Sequence, residues 1–335
     1  MKIGELGEFG LISRIASGAA DGRGVITGIG DDAAVTALSP GMQLLTSTDM
    51  LVEEVHFRRL WHDPYRLGRK SLAASISDIA AMGGIPRWTL LSLAVPPSTP
   101  LEFLDAFTRG FLALADEQGV ALIGGDTCSS RDCLTISVTI LGEQEPERIV
   151  RRSGACPGDD IWVTGTLGDA ALGLELLEKS EICTSLTADE RGYLISRLLD
   201  PPPRAAAGRA LAEAGLVSAM IDVSDGLLAD FGHIAEQSAL GGTIRLDALP
   251  LSPAFRAAFP SHPASCHELA LAGGEDYELA FTAPVANRRK IVQLMKRCGI
   301  DAAPVGIVTA LPEVTAVLAD GSRYAPRNKG FNHFA

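Results

Sequence analysis

Residues 46–57 read TSTDMLVEEVHF, and the fold turns on how this stretch is taken. Leu44 and Leu45 lead into it, so an apolar strand approaches and Asp49 is expected where that strand leaves its sheet. The strand end carries hydroxyls and a carboxylate (Thr46, Thr48, Asp49), then two acids (Glu53, Glu54), then a histidine beside a phenylalanine (His56, Phe57). Such a run can hold a hard cation and a substrate together, although alone it also fits a strand end followed by a solvated acidic turn.

Upstream, Glu8–Ala16 reads as a helix, and residues 25–38 (VITGIGDDAAVTAL) as strand, turn and strand with Asp31 and Asp32 on the turn. Downstream, Asp63 to Met82 is helical, capped by Asp63, opened by Pro64 and ended by Gly83-Gly84. Its small-residue half, residues 71–84, predicts tight packing against a neighbour, and Asp78 stands where the helix dipole disfavours a negative charge. Lys70 lies eight residues, or about two turns, before Asp78 on the same helix, which fits a structural ion pair or a role at the site. Residues 88–97 read as a strand, Thr99-Pro100-Leu101-Glu102 as a capping box, and residues 121–127 and 133–143 as strands flanking a Gly124-Gly125-Asp126-Thr127 turn.

The polar stretch from Glu143 to Arg152 marks a boundary, giving domains at 1–145 and 146–335. The second half repeats strand, acidic or glycine turn and helix. Thr164 to Asp169 is a strand-to-helix loop able to receive phosphate or to serve as a packing turn, Asp222 to Gly226 follows a strand, and Gly273 to Asp276 joins a helix to a strand. Strands and helices mix without strict alternation, so the expected class is α+β rather than a doubly wound sheet. STDML (47–51) echoes VSDGL (223–227) and GGDT (124–127) echoes GGED (273–276), as an old duplication would leave.

The 335 residues carry 29 Lys and Arg against 41 Asp and Glu, a net charge of −12. That balance repels nucleic acid unless cations intervene. No apolar run is long enough for a membrane span, and six scattered cysteines without a CxxC pair fit reduced thiols in a cytoplasm. There is no GxxxxGK[ST], no GxGxxG with a downstream acid, and no GxSxG, HExxH or Cys/His cluster. What remains is six acidic turns in α/β context, a donor set suited to magnesium and polyphosphate. Of His56, His233, His262, His267 and His333, only His56 stands beside the Asp49 run.

Taken in order, GIGDDAAV (28–35), TDMLVEEVHF (48–57), KSLAASISDIAAMGG (70–84), LIGGDT (122–127), RSGACPGDDIWVTGTLGDAALGL (152–174), IDVSDGLLADFGHI (221–234), AGGEDYEL (272–279) and KGFNHF (329–334) resemble the thiamine-monophosphate kinase family, within the aminoimidazole ribonucleotide synthetase-like superfamily. The resemblance implies two domains, an N-terminal mixed domain that pairs in a homodimer and a C-terminal α/β domain, with an ATP cleft between them. It implies transfer of the ATP γ-phosphoryl group directly to thiamine monophosphate, with several magnesium ions. It places Asp32, Ser47, Thr48, Asp49, Asp78, Asp126, Asp222 and Asp225 as metal ligands, and Gly125, Asp126, Arg152 and Ser224 on the nucleotide. His56, Glu275 and Phe331 would hold the thiamine moiety, and Lys70 is a further candidate near the phosphates, with no residue catalytic beyond such positioning.

One departure stands out: the family often reads VEGVHF where this chain has Glu54. Selenophosphate synthetases carry an N-terminal reactive cysteine and the hydrogenase-maturation relatives a C-terminal one. Here the first cysteine is Cys128 and the chain ends His333-Phe334-Ala335. A non-catalytic nucleotide-binding regulator on the same scaffold would have lost several of these carboxylates, and all are present.

Overall fold

The computed structural model describes residues 7–20, 22–179, 182–259 and 263–331, so His262 and His333 and the tail beyond Phe331 lie outside the described residues. The chain divides into two compact units, Met1–Ile79 with Gly84–Glu147, and Ala80–Gly83 with Arg148–Ala335.

The first unit opens with helix α1 (Glu8–Ala16), as its sequence predicts, and a small antiparallel pair, β1 (Val25–Thr27) and β2 (Val35–Thr36). Its main sheet has four strands in the order β3 (Gln43–Val52), β6 (Thr135–Gln144), β4 (Ile85–Val95), β5 (Ala121–Ser129). Helices α2 (Pro64–Ala81) and α3 (Leu101–Gln118) complete it. The β4–β5 pair is parallel and the other two are antiparallel, so α3 is the crossover that a parallel pair requires.

Asp63 caps α2 as its sequence predicts, its Oδ1 accepting from the backbone N–H groups of Tyr65 and Arg66 at 3.0 and 3.2 Å. This helix packs tightly at a glycine pair that lies before the 71–84 stretch for which close packing is predicted. A Cβ on Gly68 would stand 2.0 Å from the Phe107 carbonyl oxygen, and one on Gly110 would stand 1.8 Å from that of Tyr65. The two helix backbones therefore touch, and no other residue type fits either position. Around that crossing Leu67, Leu72, Ile76, Phe107, Phe111 and Leu114 are buried.

Three expectations are corrected. Asp49 is not where a strand leaves its sheet: β3 runs on to Val52, and Asp49 pairs with Val138 in mid-strand. The Gly124–Thr127 turn is interior strand, because β5 continues to Ser129 past a register shift near Thr89/Leu90. The capping box at Thr99 does not form. Helix α3 starts at Leu101 without a side-chain cap, and the buried Thr99 Oγ1 has no hydrogen-bond partner.

The second unit holds a seven-stranded sheet in the order β13-β12-β9-β11-β7-β10-β8. These strands are β7 (Asp160–Thr164), β8 (Ala219–Val223), β9 (Gly241–Arg245), β10 (Glu278–Ala283), β11 (Ala302–Thr309), β12 (Val314–Val317) and β13 (Arg323–Tyr324). The helices are α4 (Asp169–Glu178), α5 (Ala188–Leu199), α6 (Ala205–Glu213), α7 (Leu227–Gln237), α8 (Pro253–Ala258), α9 (Pro263–Ala272) and α10 (Arg288–Arg297). Only β12–β9 is parallel, so the mixed α+β class stands.

One core gathers Ile161, Val163, Leu172, Leu194, Ile221, Phe231, Ile234 and Phe255. Ser252 caps α8, and Thr187 caps α5 with Glu190 in a reciprocal box. The internal echo does not survive: STDML is mid-strand whereas VSDGL is a strand end and turn, and GGDT is strand whereas GGED is loop.

Candidate active site

In the first unit the pleat of β3 sorts its residues by face. Leu45, Ser47, Asp49 and Leu51 look one way, and Leu44, Thr46, Thr48 and Met50 the other. On the first face Ser75 and Asp78, one turn apart on α2, meet the strand. The Ser75 hydroxyl donates to Asp49 Oδ2 at 2.6 Å, and the Ser47 hydroxyl donates to Asp78 Oδ2. Burial pushes the Asp49 carboxyl up to about 6, the like charge of Asp78 adds to that, and the Ser75 hydrogen bond opposes it. Ser47, Asp49 and Asp78 thus form one cluster.

Thr48 and Asp126 do not join that cluster. The Thr48 hydroxyl lies 3.0 Å from Thr139 Oγ1 on the opposite face. Asp126 shares a row with Ser92, Ser137 and Met50, one row on from the row of Asp49, Val138, Leu91 and Gly125. In this unit it therefore stands on the far face and at the far edge from Asp49, three strand spacings or roughly 14 Å across. Gly125 is explained by packing, since a Cβ there would lie 1.8 Å from the Leu91 carbonyl oxygen.

Asp32 lies on the exposed turn between β1 and β2. Lys70 is 0% exposed, so its ammonium group cannot reach a phosphate arriving from solvent, and that candidacy falls. Its cationic charge instead acts on His62, an also-buried residue that sequence reasoning passed over. Burial first and Lys70 second push the His62 imidazole down to about 3, so it stays neutral. His62 Nε2 has no hydrogen-bond partner.

His56 is held by its own loop: the Val52 N–H donates to Nδ1 at 3.0 Å, so in the neutral ring the proton sits on Nε2. Glu53 is structural, its carboxylate receiving Arg59 Nε at 2.5 Å and the Leu134 N–H at 2.8 Å. Glu54 adopts φ 67°, in the left-handed region that favours glycine, and an ion pair with Arg58 at 3.1 Å accompanies it.

In the second unit β8 delivers Asp222 and runs into Ser224-Asp225-Gly226. The backbone N–H groups of all three turn residues donate to one oxygen of Asp230, at 3.1, 3.1 and 3.0 Å. Asp230 was not foreseen; its place in the first turn of α7 is the signal that could have found it. Burial, then Asp222 and Asp225, push its carboxyl up to about 8. Glu275 is brought to the same turn, its N–H donating to the Ser224 carbonyl at 2.7 Å, and so is Phe331, whose N–H donates to the Asp225 carbonyl at 3.0 Å. Glu275 and Tyr277 both take positive φ, 70° and 49°, a strained pair for residues with side chains.

Arg152 stands apart from that turn. Its carbonyl lies by Ser238, at the C-terminal end of α7, whose 11 residues span about 16 Å. The loop Thr164 to Asp169 proves to be a packing turn, because its amides are spent inside the protein. Gly165 donates to Asp301, Leu167 to Pro250, and Gly168 and Ala170 to the carboxylate of buried Asp276 at 2.7 and 3.3 Å. Beneath it, fully buried Glu278 takes Arg197 at 2.9 Å, Arg204 on both oxygens, and the Thr164 hydroxyl at 2.7 Å.

With this geometry in hand, comparison with known proteins is decisive. Residues 30–144 match the model of the AIR synthase related protein, N-terminal domain, and residues 156–319 its C-terminal domain. The thiamine-monophosphate kinase of Salmonella typhimurium is 40% identical over 330 residues, 98% of each chain. The chain belongs to the thiamine-monophosphate kinase family. A crystal structure of the family's Stenotrophomonas maltophilia member matches with a TM-score of 0.83 and 38% identity, covering 94% of this chain and 96% of that one. A structure described as AaThiL complexed with AMPPCP and TMP covers 100% of this chain and 99% of its own, at 33% identity and a TM-score of 0.77.

Proposed function

We propose that this chain transfers the γ-phosphoryl group of ATP directly to thiamine monophosphate, giving thiamine diphosphate and ADP. The observation that carries the reading is its end-to-end likeness to a family member complexed with AMPPCP and TMP. An acceptor phosphate has a second pKa of about 6, so it arrives largely ionised and no strong general base is needed. The task is to bring two polyanions together in line, by positioning and charge neutralisation. A chain without a P-loop but rich in carboxylates suits that task.

Magnesium would supply the charge neutralisation, held by Ser47, Asp49 and Asp78 in the first unit and by Asp222 and Asp225 in the second, with Asp32 and Asp126 as further carboxylates. Among the described residues no three His, Cys, Asp or Glu side chains form a group able to hold a metal alone. Magnesium is commonly bound by one or two carboxylates, with waters and substrate phosphates filling its shell, so an all-oxygen pair such as Asp49 and Asp78 fits it. The elevated Asp49 carboxyl beside Asp78 is the property that a cation relieves.

Ser224 serves the nucleotide, with Arg152 and Gly125 as further contacts. His56, Glu275 and Phe331 serve the thiamine moiety, the Phe331 ring stacking on the cationic thiazolium. A homodimer paired through the first unit is supported by the exposed apolar side chains Leu44 and Met50 on one face of β3 and Ile26 and Val35 on β1 and β2. A cytoplasmic setting accords with the cysteines, none of which is disulfide-bonded. The test is product identification: the protein is incubated with ATP, magnesium and thiamine monophosphate, and products are separated by chromatography. Thiamine diphosphate and ADP in equal amounts are expected; ATP binding without thiamine diphosphate would mean the acceptor is another molecule.

A further inference from the structure

After β13 ends at Tyr324, residues 325–331 have no helix or strand to hold them. An irregular segment keeps its place only through discrete anchors. One residue supplies an anchor within the segment and a second at its root in β13. Glu268, on α9, accepts from the Tyr324 hydroxyl through Oε2 at 2.8 Å and from the Asn328 N–H through Oε1 at 3.0 Å. The His267 ring meets Tyr324 edge-on, with centroids 6.1 Å apart. Burial, then the Glu268 carboxylate, push the Tyr324 phenol up to about 12, so it remains a donor throughout the neutral range.

The far end is fixed to the acidic turn. The Phe331 N–H bonds the Asp225 carbonyl, and a Cβ on Gly330 would stand 2.5 Å from Ala229 Cβ and 2.9 Å from that carbonyl oxygen. The glycine thus lets the segment lie flat on the first turn of α7. Phe331 is 53% exposed, so much of its surface is open to a ligand.

We propose that Glu268 is a positioning residue for the kinase substrate: by gripping Tyr324 and Asn328 it sets where Phe331 stands over the Asp225 turn, and so sets affinity for the positively charged heteroaromatic ring of the acceptor. The proposal rests on reading Phe331 as a substrate contact. A carboxylate accepting two hydrogen bonds is a stronger anchor than a neutral acceptor. Its loss loosens the segment between β13 and the Asp225 turn without touching the Asp222 and Asp225 side chains.

Steady-state kinetics separate this role from a merely stabilising one. Glu268→Ala raises KM for thiamine monophosphate about tenfold and leaves KM for ATP within about twofold, the scale of one or two lost hydrogen bonds. Glu268→Gln, which still accepts from the Asn328 N–H, recovers most of the affinity. Phe331→Ala raises the same KM, and the double variant is no worse than Phe331→Ala alone, because Glu268 acts through that ring. If Phe331→Ala raises KM and Glu268→Ala does not, or if Glu268→Ala raises both KM values equally, the positioning role is wrong and the Phe331 reading survives. If Phe331→Ala leaves KM unchanged, the reading of Phe331 falls and the proposal with it. Should Glu268→Ala fail to fold, Tyr324→Phe removes one of the two grips; a rise in KM of about threefold is expected and an unchanged KM overturns the idea.

Discussion

Asp49 in the first unit and Glu278 in the second are both acids at the edge of a core, yet they are treated in opposite ways. Asp49 receives one serine hydroxyl and faces the like charge of Asp78, so its carboxyl is pushed upward. Glu278 meets two guanidinium groups and a threonine hydroxyl. The second arrangement is complete within the chain and belongs to the fold, holding α5 and α6 to the start of β10. The first would be relieved by a cation from outside, the property that the proposed magnesium site requires and that a core does not.

The comparison breaks first at Asp49. Asp49→Asn is expected to lower turnover about a thousandfold, the scale of removing a principal electrostatic contact, while thermal unfolding stays level or rises because a like-charge contact is gone. A variant that retains near-normal activity would move the site elsewhere. Glu278→Gln should do the reverse, lowering the unfolding free energy by about 3 kcal/mol because Arg197 and Arg204 lose their buried counter-charge. An unchanged urea midpoint would mean that water or another acid replaces it.

A subtler test uses the bases of the first unit, where buried His62 is kept neutral beside Lys70. The His62 imidazole has a folded pKa of about 3, depressed from 6.5, so its contribution to stability is present above pH 6.5 and is lost as pH falls toward 3. The slope from this group approaches about 1.4 kcal/mol per pH unit. His62→Leu should flatten the decline of stability between pH 6.5 and pH 4.5, read by urea unfolding. Identical profiles for the two proteins would show that His62 does not titrate this way.

Local chemistry made much of the fold legible. The Asp63 cap and Pro64 opening of α2 and the strands that run into the turns at Thr164 and Asp222 are each set by residues within a few positions of one another. The candidate site could be drawn from the sequence as a list of acids, but their arrangement could not. Face and row depend on pairing between distant strands, so nothing near Thr48 or Asp126 revealed that neither shares a face with Asp49. The clasp of Asp276 on Gly168 spans 108 positions, and the Glu278 network joins Thr164, Arg197 and Arg204 across 114, 81 and 74. No periodicity announces such partners. Glu54 is the converse case: the residue was visible at once, and its left-handed backbone is a conformation that favours glycine.

The ten-residue pairing of β3 with β6, Gln43 to Val52 against Thr135 to Gln144, also constrains how this protein can evolve. Alternation gives each residue of β3 a fixed side, so a single codon gained or lost within it would turn the carboxylate of Asp49 outward and drive Met50 toward α2. Length changes on this strand are tolerable only in pairs, and lineages should record them, if at all, as two-residue steps.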